Sequence, residues 1–303
     1  MSTPQIRPGS IVVAVDGSEH ATRAVQWAVE QAGFERRPLV VVNAASEADV
    51  LGAAWVDVAR TYPSGPADIL RHSRAIVDDA VELAQGMRSG LTIEAMPVVG
   101  DARQVLVDLS AHAHLIVMGS RGRGTFRSML LGSVSASVSK HADCPVIVCR
   151  PVTTGPPSHG VVVGADGTAE SLTVIEFAFQ QASFRQLPLT VVHCFWDVAA
   201  AAADVEELPR GEQVPESQAD LRILLSESIA GLSEKYPDVE VTLRLTHGLV
   251  DEGLAALTDG TALVVVGRHP RQGLGRVLSV ALATAVVERA RCAVAVVPEP
   301  EPA

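Results

Sequence analysis

Apolar residues fall along this chain in two rhythms. "SIVVAV" (10–15) is a short apolar run with no polar alternation, the mark of a strand buried on both faces. After it, Ala21, Ala24, Val25, Ala28 and Val29 share one helical face between Ser18 and Gln31. Gly33 is expected just past the end of that helix. The same alternation continues. "PLVVVNA" (38–44), "LTIEAMPVV" (91–99), "HLIVMG" (114–119) and "PVIVCR" (145–150) read as strands, and 67–87, 101–112 and 128–140 as helices. Strands alternating with helices of this length predict a doubly wound, mostly parallel sheet.

The pattern then repeats. Residues 10–46 answer to 160–196, with Asp16 against Asp166 and Pro38 against Pro188 at one constant offset. Further on, Gly119 answers to Gly267 and Cys144 to Cys292. "PVTTGPPSHG" (151–160) has the composition of a linker. The expected fold class is therefore two tandem doubly wound α/β domains, 1–154 and 155–303, each a mostly five-stranded parallel sheet flanked by helices. The segments 46–66 and 197–219 are expected to be long loops over the two sites.

A chain of 303 residues suits two such domains. Hydrophobic residues make up 48% and charged residues 19%, which argues against disorder. The formal charge of −11 disfavours wrapping nucleic acid, which wants a basic surface. No apolar run approaches a membrane span, and "MSTPQIRPGS" lacks the layout of a signal peptide. The expectation is a cytoplasmic protein with neither nucleic acid nor membrane as partner. Arg in place of Lys, with abundant Ala, points to a GC-rich bacterial genome. The four cysteines show no C-x-x-C pairing and read as reduced residues at strand margins.

In a doubly wound sheet, ligands bind beyond the carboxyl ends of the strands, where strand order reverses. Three loops there have something to offer: those at Asp16, at Ala44 and after Met118. The last, "GSRGRGTFRSMLLGS" (119–133), combines glycines with the start of a helix. Free N–H groups and the helix dipole favour an anion in such a place. Neither a Walker A loop nor G-x-G-x-x-G is present, since Arg127 stands where the final Gly would be. A G-x-S-x-G elbow is also absent, and His112 and His114 lack a metal-ligand spacing, so no catalytic residue and no direct metal ligand is assigned.

What remains is Gly119-x-x-Gly122, nine residues, then Gly132-Ser133. With "VVAVDGS", "PLVVVNA", "LIVMGSRGRG", "LLGSVS" and "CPVIV", the chain resembles the universal stress protein family in its tandem form. G-x-x-G-x9-G-[ST] marks that family's nucleotide-binding branch. The resemblance implies an adenine nucleotide alpha hydrolase-like (Rossmann-like) fold and an ATP site in the first half. Met118, Gly119, Ser120, Arg121, Gly122, Arg123, Gly124 and Thr125, with Gly132 and Ser133, would wrap ribose and phosphates. Val134 and Ser135 would complete the phosphate side. Ala14 and Asp16 would lie against the adenosine and Ala44 beside the base, with Mg²⁺ held only through the phosphates.

Three function classes stay open: an ATP-binding regulator of stress response or growth, a slow ATPase or phosphotransferase, and a nucleotide-independent interaction module. Bland readings stay open too. The glycines can serve tight turns, Asp16 can satisfy loop N–H groups, and Arg121, Arg123 and Arg127 can be solvated.

The second half carries a degraded loop. Against "GSRGRGTFRSMLLGSVS", the chain sets "GRHPRQGLGRVLSVALA" (267–283), so Pro270 replaces Gly122, Val280 replaces Gly132 and Ala281 replaces Ser133. Pro has no N–H and a fixed φ, and positive φ would be an outlier for Val. Gly273 and Gly275 offer the material for another register. A second site at Gly164, Asp166, Cys194 and Gly267 is expected to be weak or lost. The terminal strands at 145–150 and 293–298 would expose edges if left alone, so an internal pseudo-dimer of the two halves is expected. A homodimer of the whole chain is allowed besides.

Overall fold

Unbroken apolar strands need cover on both faces, and helices provide it here. In the computed structural model, the described residues are 5–46, 66–122, 131–151, 160–165, 168, 170–195, 218–247, 250–268 and 274–300. They form two compact units, Met1–Pro151 and Val152–Ala303.

The first unit runs β1 (Ile11–Ala14), α1 (Glu19–Glu35), β2 (Leu39–Ala45), α2 (Pro66–Met87), β3 (Ile93–Val99), α3 (Ala102–Ser110), β4 (Leu115–Gly119), α4 (Ser133–His141) and β5 (Val146–Cys149). Its strands lie side by side as β3-β2-β1-β4-β5, all parallel. Ile11 stands between Leu39 and Leu115, and Ala14 between Val42 and Met118. The order reverses at β1, so the crevice for a ligand opens beyond the ends of β1 and β4.

β1, β4 and β5 are almost wholly buried. Each fully buried Ile or Val contributes about 1.5–3 kcal/mol relative to exposure. α1 turns Ala24, Val25, Ala28 and Ala32 onto the sheet. One helix end departs from expectation, because Gly33 lies inside α1. The helix stops instead at Arg36, which takes the left-handed conformation (φ 53) and donates its N–H to Ala32.

The second unit repeats the plan with β6 (Val161–Gly164), α5 (Leu172–Arg185), β7 (Leu189–Phe195), α6 (Gln218–Lys235), β8 (Val241–His247), α7 (Val250–Ala255), β9 (Leu263–Arg268), α8 (Leu274–Arg289) and β10 (Ala293–Pro298). Its order is β8-β7-β6-β9-β10, again parallel. Gln186 (φ 53) ends α5 as Arg36 ends α1. Phe179, fully buried, stacks on Tyr236 with ring centroids 5.8 Å apart.

Candidate functional site

β1 delivers the chain to a turn that the next helix starts from. Gly17 takes φ 76, a conformation that L side chains resist. Asp16 Oδ1 accepts the Ser18 N–H at 3.0 Å, and Ser18 Oγ accepts the Ala21 N–H at 3.2 Å, capping α1. Asp16 thus performs its loop role with one oxygen. The other faces Gly122, where an added Cβ would stand 2.4 Å from Oδ2. The two loops meet here, and a side chain at Gly122 would have to push the Asp16 carboxylate aside.

β4 leaves the sheet just as tightly. A Cβ on Gly119 would stand 2.7 to 2.9 Å from His20 Cβ, its carbonyl carbon and its carbonyl oxygen. Gly119 is therefore demanded by the packing of α1, whatever the loop holds. Ser120 is buried, donates its N–H to Cys149 at 2.9 Å and accepts the Gly132 N–H at 2.8 Å. That last bond closes the neck of the loop between 120 and 132.

Gly132 is the N-cap of α4 and supplies no side-chain cap. Ser135 Oγ is committed to the Gly119 carbonyl at 2.8 Å, while Ser133 is exposed and Val134 half-buried. Arg123, Gly124, Thr125 and Arg127 lie outside the described residues. Among the described residues of this loop, no glycine is left-handed. Gly132 has φ −73 and ψ 151, ordinary extended backbone, and Gly122 has no positive φ either. An added Cβ would meet the Asp16 carboxylate at Gly122 but only ordinary contacts, at 3.4 to 3.7 Å, at Gly132, and the left-handed residue of this site is Gly17.

β2 brings Ala44, half-buried and paired with Val98, and beside it a residue that the apolar pattern hid. Asn43 is buried and donates Nδ2–H to the Val15 carbonyl at 2.6 Å, and its own carbonyl accepts Ser73 Oγ–H at 2.9 Å. These bonds tie α2 and β2 to the turn at Asp16. Asn43 Oδ1 is buried without a partner among the described residues. His193 does the same work in the second unit, donating Nδ1–H to the Ala165 carbonyl at 2.8 Å. A polar residue recurring inside an apolar strand of both repeats was the available signal.

His20 was also missed. It stands in the first turn of α1 with Nδ1 3.4 Å from Ser120 Oγ and 3.2 Å from Arg23 Nη2. Burial, then Arg23 and Arg121, hold its pKa below the ordinary histidine value against the pull of Asp16 and Glu19. It is the titratable group of the site whose charge is most open to change near neutrality.

The second unit arranges the matching positions differently. Gly164 ends β6 against Leu254, whose Cδ1 would stand 3.1 Å from an added Cβ, and Cys194 is half-buried in β7. Asp166, Pro270 and Gly273 lie outside the described residues. At Gly267 an added Cβ would fall on the carboxylate of Glu299, itself buried. Gly275, Val280 and Ala281 all lie within α8, which has begun at Leu274. Val280 meets no positive-φ demand, because no loop reaches this point. N–H groups inside a helix are already spent on carbonyls one turn back.

Other candidate chemistry resolves into structure. His114 Nε2 lies 2.6 Å from the buried Glu35 carboxylate. Burial pushes the Glu35 pKa up, but hydrogen bonds from His114, Gln31 and Arg37 outweigh it and hold it low. Cys144, Cys149 and Cys292 are buried and Cys194 is half-buried. Among the described residues no group of three metal-ligating side chains gathers, and no helix is long and apolar enough to cross a membrane.

The sequence profile of the universal stress protein family matches residues 9–150 and again 158–298. A universal stress protein of Mycobacterium tuberculosis (strain ATCC 25618 / H37Rv) is 34% identical over 299 residues, 95% of this chain and 96% of its own. Another from the same strain is 35% identical over 304 residues, covering 98% and 99%. A solved universal stress protein from Archaeoglobus fulgidus DSM 4304 superposes with a TM-score of 0.65 at 16% identity. It covers 97% of both chains and is similar in fold.

Proposed function

The chain belongs to the universal stress protein family, and from that premise we propose that it is a regulator that binds one ATP, in its first unit. The carrying observation is the meeting of Asp16 with Gly122 beyond the crevice, next to a helix whose N-cap offers no side chain. Adenosine would lie along the ends of β1 and β2, by Ala14, Asp16 and Ala44. The phosphates would take the open N–H groups of α4 and the glycine backbone, where a phosphate can approach closely. ATP supplies the charge and the signal. The protein's part is to bind and orient it, with Mg²⁺ carried on the phosphates. The family and the absence of a membrane-crossing helix among the described residues agree with a cytoplasmic role in stress response or growth.

The second unit is proposed as the weak or empty partner, since its matching helix leaves no open terminus at Val280. Denaturing the purified chain and identifying released nucleotide by mass spectrometry tests the reading. Released or readily rebound adenine nucleotide is expected. A chain that carries none and binds none after stripping contradicts it. Turnover of added ATP that is lost in Asp16→Ala would replace the binding role by an enzymatic one.

A further inference from the structure

The first unit gathers basic groups beside the glycine loop, two of them on α1 rather than in the loop itself. His20 and Arg23 lie near the start of α1, Arg121 follows β4, and Ser120 sits between them. A guanidinium has donors only, so the 3.2 Å contact from Arg23 Nη2 makes His20 Nδ1 the acceptor. The imidazole is therefore neutral, with its proton on Nε2. The Nε atoms of Arg23 and Arg121 are both buried without a hydrogen-bond partner among the described residues. Leaving one charged donor buried and unmade is unfavourable. Two of them around the same imidazole point to an anion that supplies the acceptors.

We propose that His20, Arg23 and Arg121 form a proton-linked seat for the phosphate end of the nucleotide, in which protonation of His20 releases Arg23 to the anion. This rests on the nucleotide reading of the first unit. The step takes up one proton from solvent at Nδ1 and breaks only hydrogen bonds. Once Nδ1 carries a proton it no longer accepts from Arg23, whose Nη2 turns to a phosphate oxygen. Imidazolium and two guanidinium groups then face the anion.

The sign follows from the neighbours. Glu19 and Arg23 on α1, Asp16 after β1 and Arg121 after β4 act on the ring, and its pKa in the free protein lies below the ordinary 6.5. A phosphate raises that pKa, so binding tightens as pH falls through the bound-state value. The gain levels off below the free-state value. The second unit cannot repeat the device, because the matching positions hold Glu170, Thr173 and His269.

Titration calorimetry of ATP into the full chain, near pH 6 in two buffers of different ionisation enthalpy, tests this in wild type and His20→Gln. Wild type is expected to take up more protons per ATP, the difference approaching one. ATP affinity is expected to fall in the variant by about tenfold for each unit the pKa rises on binding. Protonation of ATP itself is common to both proteins and cancels, and adenosine affinity is expected to be unchanged. Equal proton uptake with ATP still bound overturns the inference and leaves the nucleotide reading intact. No ATP binding to wild type at any pH overturns both. Should His20→Gln fail to fold, histidine NMR of wild type with inorganic tripolyphosphate decides. The His20 ring must pass from the neutral Nε2–H form to imidazolium, and a ring that stays neutral overturns the proposal.

Discussion

Where β4 ends in the first unit, the chain leaves the sheet at Gly119, is pinned between Ser120 and Gly132, and enters α4 at Ser133. Where β9 ends in the second unit, α8 has already begun at Leu274, and the residue matching Gly132 is held inside it. Both units keep the same strand order and the same polar clamp on the turn after the first strand, Asn43 in one and His193 in the other. The sheet tolerates divergence at the loop because its stability comes from buried strands, while a phosphate seat depends on where one helix starts. On the proposed reading, α8 denies the second unit the open helix start that the first unit offers a phosphate, with the scaffold undisturbed.

The sharpest way to break the comparison is at the paired glycines. Gly119→Ala forces a Cβ onto the backbone of His20, and overpacking of this kind costs about 1–3 kcal/mol. Gly267→Ala meets mainly the end of the Glu299 side chain, which can swing aside, so its cost is expected to be smaller. Denaturant midpoints of the two variants check this. Equal losses would mean that the two strand ends are packed alike.

A second contrast lies at the far end of α1, where Glu35 is held by His114, Gln31 and Arg37. The second unit has Arg185 and Ala262 at the positions of Glu35 and His114. A carboxylate whose pKa is lowered on folding adds stability above its unfolded value, near 4.5, and loses it as pH falls through the folded value. Hydrogen bonds to such a charge are worth about 1.5–3 kcal/mol each. Amide exchange in α1 is expected to accelerate below that range, and Glu35→Gln should flatten the profile while α5 is unaffected. Identical profiles for wild type and variant would contradict this.

The smallest effect concerns a helix cap. Asp101 accepts the Arg103 N–H at 2.8 Å, and the Arg103 side chain beside it helps hold its carboxyl at about 2. α3 then runs from Ala102 to Ser110, whereas the second unit's sequence has Leu249 where Asp101 stands and α7 stops at Ala255. Asp101→Ala should cost about 1 kcal/mol, read as faster exchange of the first-turn amides of α3. Unchanged exchange would show that the cap is idle.

These differences mark how far the residues could be read in advance. The strands were legible because runs such as "LIVM" admit no exposed face, and the duplication confirmed their spacing. Gly33 misled, since a glycine near a helix end resembles a stop signal, while the actual stop is a left-handed Arg36 bonded to Ala32. Of the two uses that glycine suggested at Gly122 and Gly132, positive φ and close approach, the first does not occur, because both have ordinary negative or extended backbone. His20 and Arg23 escaped notice because they sit far in sequence from the glycine loop and meet it only through the crossing of α1 over β4. Nothing in their local spacing announces that crossing.

The central claim is one nucleotide site per chain, in the first unit. Calorimetric titration of ATP into nucleotide-stripped full-length chain, alongside Gly132→Val, tests it most directly. The variant should fold, because an added Cβ at Gly132 meets its neighbours at 3.4 to 3.7 Å and φ is −73. The branched side chain would crowd the helix start, and losing two charge-assisted hydrogen bonds at about 1.5–3 kcal/mol each exceeds a hundredfold in affinity. The account predicts a stoichiometry near one for wild type and no measurable binding for the variant. Two equivalent sites per chain, or full binding by Gly132→Val, would contradict it.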